Sequence, residues 1–348
     1  MSSRSGHSHT RTREASHAGS WYEDRPAKLA SELDSYLSKV PDTIDGANLP
    51  VPGARVIIAP HAGYSYSGPC AAWAYKALDL SGAKRVFLLG PSHKYYTETC
   101  ALSTFSKYET PFGDLTVDTA LCDELRETGD FSNIPVNREV QEHCLEMHLP
   151  YLWKRLEQTF GGDSDRFPPI VPIIVGVLNE AEEKTYGEVL APYLKDPGNA
   201  FIISSDFCHW GSNYSYAPQY IDGKLQNPHG HTPIACDLSH IDLGFGVEQS
   251  SDVSPPPLHE IIKKLDEMAM DAVESGTHGK FHKLISKTKN TVCGSHPIGV
   301  VMAALEILSE EGLADGKGKF KFIQYQRSGL VVDKKDYSVS YASAYAVL

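Results

Sequence analysis

The chain has 348 residues, 41% hydrophobic and 22% charged, which is enough apolar sequence for a sizeable core in one large α/β domain with insertions. A formal net charge of -12, a pI of about 5.7 and the lack of any basic stripe argue against a dedicated nucleic-acid binder. Seven scattered cysteines with no C-x-x-C pair fit a reducing compartment better than a disulfide framework.

Residues 1–12 are rich in Ser, His, Thr and Arg and lack an apolar h-region, so they read as a disordered polar tail rather than a secretory signal. A single α/β domain is expected over 13–348. Helical spacing of Leu29, Leu33 and Leu37 predicts a helix over 26–40. Strands follow at 55–59 and 85–90, with a helix over 69–80 between them. Turn residues at Pro111-Phe112-Gly113-Asp114 predict a hairpin over 99–117. Helices are expected at 119–128 and 144–160, a strand at 170–175, a helix running to 194 and a strand at 200–204. Further helices are predicted at 258–273, 280–286 and 297–310, and strands at 320–326 and 338–347. The longest apolar stretch, 167–178, contains three prolines and is too short to span a bilayer. Fully apolar strands alternating with helices imply α/β architecture, a central mostly parallel sheet covered by helices on both faces. The stretch 222–257 breaks the rhythm. Its Pro, Gly, Ser, Asp and His predict a flexible surface insertion that could be deleted at little cost. Its histidines, His229, His231 and His240, read as solvated loop residues in preference to metal ligands.

Three apolar strands end alike. Ile57-Ile58-Ala59-Pro60 delivers His61, Leu88-Leu89-Gly90-Pro91-Ser92 delivers His93, and Ile202-Ile203-Ser204-Ser205 delivers Asp206 with His209 three residues on. One histidine after a strand is ordinarily a hydrogen-bonded turn residue. On parallel strands, however, all four side chains would emerge at one edge, where open α/β sheets bind ligands. Imidazole suits zinc, copper and iron, so two such histidines can supply half a metal site. Cys293, in Thr291-Val292-Cys293-Gly294-Ser295-His296-Pro297, falls just before a predicted helix N-terminus that would lower its pKa; an isolated cysteine would otherwise read as structural. His143 and His148 lie five residues apart, which rules out an inverted zinc motif. His143 and Glu146 are expected to share a helix face and form a wall of the site or support its ligands, with a plain helix-surface pair as the alternative. Trp21 and Tyr22 precede a helix and either line a cleft or pin the N-terminal arm. No P-loop, dinucleotide fingerprint or G-x-S-x-G elbow is present.

Together the segments 14–22, 57–68, 90–93, 142–151, 204–211 and 292–299 resemble the Memo family, named for mediator of ErbB2-driven cell motility, over most of 14–348 outside the insertion. That family is similar in fold to class III extradiol, LigB-like, non-haem iron dioxygenases. The resemblance implies metal ligands at His61 and His93, an acid/base histidine at His209, and Cys293 where those dioxygenases place a carboxylate. The thiolate argues against ordinary catechol-ring cleavage and suits copper as well as iron. The family likeness also implies redox signalling and phosphotyrosine-peptide binding in the same pocket. The expected location is the cytoplasm, with the nucleus as a further compartment.

Three functions compete. The first is a redox metalloprotein holding iron or copper at His61, His93 and Cys293, with His209 moving protons and Asp206 orienting it or raising its basicity. The second is a non-catalytic adaptor gripping a phosphotyrosine or other anionic peptide between Trp21 and Tyr66. A zinc hydrolase ranks third, because the sequence offers no clear carboxylate base beside the ligands.

Overall fold

The computed structural model describes residues 11–228, 236–245 and 255–348. The expected tail over 1–12 lies almost wholly outside these residues, and so do His229 and His231. Thr12–Arg13 is already a paired strand, parallel to Lys107–Tyr108.

The architecture is α/β. Four parallel strands form the centre of the main sheet: β1 (Ala54–Ala59), β2 (Arg85–Pro91), β5 (Ile170–Val175) and β6 (Asn199–Ser204). They run in the order β1-β6-β2-β5, and nearly every residue in them is buried, as strands covered on both faces require. The margins are antiparallel except for the outermost pair on one side, β3 with β4, which is parallel. On one side β3 (Cys100–Leu102) pairs with β5, and the short β4 (Ser132–Asn133) pairs with β3. On the other side β9 (Ser338–Val347) pairs with β1, and β8 (Phe320–Arg327) and β7 (His209–Trp210) pair with β9. The sheet is therefore parallel at its centre and mixed at its edges.

Helices flank it in two packed groups. α1 (Pro26–Ser38), α2 (Tyr64–Ala77) and α5 (Leu149–Phe160) contact one another, and α2 lies against β1 and β9. α6 (Glu180–Lys195), α7 (Leu258–Glu274), α8 (His278–Thr288) and α9 (Ser295–Glu310) form the other group, with α9 against β2 and β6. α3 (Thr119–Glu127) packs on β5, and α4 (Val136–Gln141) is a short helix that the sequence pattern did not announce. Among the described residues no helix is long and apolar enough to cross a membrane.

Three expectations need correction. α2 starts at Tyr64, so Pro69 lies inside it rather than opening it. The helix expected from 144 begins only at Leu149; a 3₁₀ turn, Glu146–His148, leads into it, so His143 and Glu146 do not share an α-helical face. The stretch 222–257 is not a free loop where it is described. Lys224–Asn227 pairs with Gln219–Ile221 and with Cys236–Asp237. Leu225, Leu238, Ile241 and Leu243 are buried against Trp210, Ile261 and Leu265 in a second apolar cluster. Apolar residues spaced among prolines and glycines were enough to cover that face.

Candidate metal centre

Strand register brings His61, His93 and Asp206 together. Ala59 of β1 pairs with Ser204 of β6, so His61 and Asp206, each two residues beyond, emerge side by side. The backbone N–H of His61 donates to Asp206 Oδ1 at 2.8 Å. β2 runs beside β6 with Leu89 opposite Ile203, which carries His93 to the same edge. Cys293 arrives from the turn before α9. Its Sγ lies 3.2 Å from His61 Nε2 and accepts the Asp206 N–H at 3.3 Å. Ligand atoms of His61, His93 and Cys293 all lie within 4.8 Å of one another. Gly294 permits this approach, because a Cβ there would meet the Ser204 carbonyl at 2.4 Å.

Each imidazole is oriented through Nδ1. His61 Nδ1 is 2.6 Å from Ser204 Oγ, whose hydroxyl donates onward to the Cys144 carbonyl; the serine oxygen is thus left to accept, and His61 carries its proton on Nδ1. His93 Nδ1 lies 2.9 Å from Glu142 Oε1. His209 Nδ1 faces the carbonyls of Phe207 and Thr291 at 2.8 and 3.0 Å. In all three rings Nε2 is the nitrogen left for the site. A proton on Nδ1 held by a second group is how ligand imidazoles are fixed at metal centres.

Asp206 does not orient His209. Its carboxylate serves His61, with Oδ2 4.0 Å from His61 Nε2, while His209 is held by backbone carbonyls and by Thr291, whose hydroxyl accepts the His209 N–H at 2.7 Å. The placement of Asp206 also weakens the ground for ranking a zinc hydrolase last, since a carboxylate does stand beside the proposed ligands.

Burial dominates the electrostatics. It pushes the His61 imidazole well below its usual value, with further repulsion from His93 and His143. It pushes the Cys293 thiol well up, and the Asp206 charge adds to this, so the expected depression by the helix terminus does not prevail. Burial also raises the Asp206 carboxyl against the opposing influence of His209. Two imidazoles and a sulfur are a fitting set for a late transition metal.

Glu142 was not singled out from the sequence, although it adjoins His143. Its carboxylate accepts from His93 Nδ1 and from the backbone N–H groups of His93 and Lys94 at 2.7 and 3.1 Å. Burial alone would raise its pKa; the His93 hydrogen bond and charge outweigh burial and bring it down to about 2. His143 stacks between His93, at 4.4 Å between ring centroids, and Trp21, at 4.5 Å. Its Nδ1 is buried without a hydrogen bond, 3.5 Å from Glu142 Oε1, and burial together with the His93 charge lowers its pKa to about 3.

His61, His93, Asp206 and His209 open on a cavity of about 690 Å³, walled also by Trp21, Tyr66, His143, Tyr214 and Tyr337 among others. Glu146 is not in that wall. It is fully buried and collects Arg13 Nη1 at 2.8 Å, the His17 N–H at 2.8 Å and the Tyr22 hydroxyl at 2.9 Å. Glu146 therefore anchors the N-terminal arm that carries Trp21 to the cavity. Tyr22 is buried and pins the arm, whereas Trp21 lines the cleft, so each of the two readings of this aromatic pair holds for one residue.

The family model described as Memo-like protein matches residues 13–345. The chain is 39% identical over 336 residues to Protein MEMO1 of Xenopus laevis, covering 97% of each chain. It is 38% identical over 331 residues to human Protein MEMO1, covering 95% of this chain and 96% of that one. It is 37% identical over 332 residues to the Protein memo-1 homolog of Caenorhabditis elegans, covering 95% and 81%. On this likeness across nearly its whole length, the chain belongs to the Memo family.

Proposed function

We propose that this Memo-family chain is a metal-binding redox protein whose iron or copper is held by His61, His93 and Cys293. The observation that carries the reading is the gathering of one nitrogen from each of two imidazoles and one sulfur within 4.8 Å at the carboxyl edge of the sheet, with both imidazoles fixed through Nδ1. Iron or copper, when bound, supplies one-electron chemistry, and a thiolate ligand favours Cu(I) in particular. His209, presenting Nε2 to the cavity, accepts and returns protons. Asp206 fixes the His61 backbone and lends negative charge beside the ligands. Trp21, Tyr66 and His143 shape a pocket for a small molecule. A catechol-cleaving dioxygenase is not the favoured activity, because the third donor is a sulfur in place of a carboxylate.

The adaptor reading draws on the same aromatic walls. Among the residues lining the cavity, however, there is no Lys or Arg to meet a phosphate, and Asp206 is acidic. The metal reading is therefore preferred. Metal analysis of protein purified without chelator tests it. Wild type should carry close to one iron or copper, and His61→Ala, His93→Ala and Cys293→Ser should each lose it while keeping the circular dichroism of the fold. Unchanged metal content in all three variants would reject the assignment. His209→Ala should keep the metal and lose about 10²–10⁴-fold of any turnover. Loss of metal in that variant would make His209 a ligand.

A further inference from the structure

A second group of histidines converges on another carboxylate, beside a cavity that shares no lining residue with the first. Glu183 on α6 is buried, 3% exposed, yet three imidazoles converge on its carboxylate. His278 Nε2 lies 2.6 Å from Oε2, His296 Nδ1 2.7 Å from Oε1 and His282 Nδ1 3.5 Å from Oε2. They come from two further helices. His278 and His282 are one turn apart on α8, the spacing by which a helix offers two imidazoles to one ion, and His296 stands in the first turn of α9. Two of the imidazoles, His278 and His296, hydrogen-bond one carboxylate oxygen each, and His282 stands a little further off as a third. Room for the carboxylate is reserved on α9 by Gly299, where a Cβ would come within 2.4 Å of Glu183 Oε2. Burial pushes the Glu183 pKa up, but the hydrogen bonds from His278 and His296 outweigh it and hold the carboxyl ionised below its usual range.

A cavity of about 380 Å³ gives access, with Glu183, His282 and His296 in its wall. Two buried polar atoms at this place have no partner. They are His278 Nδ1, in a fully buried side chain, and Oδ1 of Asn290, 4% exposed and also in the cavity wall. Lys289 stands in the same wall and is the one cationic side chain there among the described residues.

We propose that Glu183, His282 and His296, backed by His278, form a second metal seat for a borderline divalent ion of the zinc type, distinct from the His61, His93 and Cys293 centre. Nitrogen and oxygen donors without sulfur suit zinc-like ions and offer nothing specific to Cu(I). The seat closes on binding. Among the described residues only the groups at the first site already hold three ligand atoms within 4.8 Å. Here Glu183 is hydrogen-bonded by His278 and His296, and the rings of His282 and His296, with side chains 28% and 27% exposed, swing in on the ion.

The test is a Zn(II) titration of untagged apo protein by calorimetry and by thermal shift, in wild type, Cys293→Ser, His282→Ala and His296→Ala. The proposal expects one equivalent with submicromolar affinity that survives Cys293→Ser, disappears in His282→Ala and His296→Ala, and raises the melting temperature only where it binds. It is overturned if His282→Ala and His296→Ala bind the same number of equivalents with the same affinity as wild type. It is also overturned if every binding event surviving Cys293→Ser is weaker than about 100 μM. His278→Ala separates a structural role from binding: a lowered melting temperature with wild-type stoichiometry and affinity removes His278 from the seat. Failure of the first centre would appear differently, as no difference between wild type and Cys293→Ser.

Discussion

His61, His93 and His209 each commit Nδ1 to a protein group, and the three groups differ in kind: a serine hydroxyl, a glutamate carboxylate and backbone carbonyls. Only His93 has an anion behind it. Glu142→Gln keeps a hydrogen-bond acceptor but removes the charge, so it should weaken iron or copper binding about 10–100-fold with the fold intact, as loss of such outer partners typically does. A competition titration against a chelator of known affinity reads this directly, and an unchanged affinity would reduce Glu142 to a loop clasp. The same residue leaves a mark on stability. Its folded pKa of about 2 lies below an unfolded value of about 4.3, so its contribution is complete above that pH and is lost as pH falls toward 2. His143, lowered to about 3, acts in the same direction, with loss beginning near pH 6.5. Urea unfolding of apo protein should therefore show stability falling between pH 6 and pH 3, and less steeply in Glu142→Gln than in wild type. That His61 and His93 come together was legible in the sequence because each closes an apolar strand run. Their partners were not, since Ser204 and Glu142 lie 143 and 49 residues from the rings they orient. Spacing along the chain carries no information about such pairs.

Two elements outside the central sheet carry predictions of their own. The N-terminal arm is held by a buried ion pair, Arg13 to Glu146, and Arg13 also donates to the carbonyls of Glu139, Val140 and Glu142. Arg13→Ala leaves Glu146 without its strongest cation, at a cost of about 3–5 kcal/mol. It should also free the arm, exposing Trp21 to quenchers and to proteolysis near residue 20. Protection equal to that of wild type would show that the arm is held by other contacts. The second element is the stretch 222–257. Composition marked it as dispensable, but its described leucines cover Trp210, Ile261 and Leu265, all fully buried. Deletion should now lower the melting temperature markedly, at about 1.5–3 kcal/mol for each large apolar side chain uncovered. An unchanged melting temperature would restore the original reading. The buried strands were the readable part of the fold, because continuous apolar runs of five or six residues admit few other structures. The irregular lead into α5 was not readable, because Glu146 and His148 are buried by long-range bonds that override the local helical pattern.

At the scale of the whole molecule, parallel strands in register set the centre's position, two helical groups bury the sheet, and the loops beyond its carboxyl edge supply the chemistry. The family is secure from likeness over residues 13–345, and the metal is the step that the geometry supports and the proposal adds. The central claim is thiolate ligation, since a sulfur in the third position separates this centre from a carboxylate-ligated dioxygenase. Binding must displace the thiol proton, so affinity should tighten about tenfold for each unit of rising pH below the thiol pKa, which burial holds high. The most direct measurement is X-ray absorption at the metal edge of protein loaded anaerobically with Fe(II) or Cu(I). The account predicts one sulfur neighbour at about 2.3 Å and nitrogen neighbours near 2.0 Å, as is general for such metal–thiolate and metal–imidazole bonds, with the sulfur shell absent in Cys293→Ser. A first shell of nitrogen and oxygen alone in the wild-type protein would contradict it.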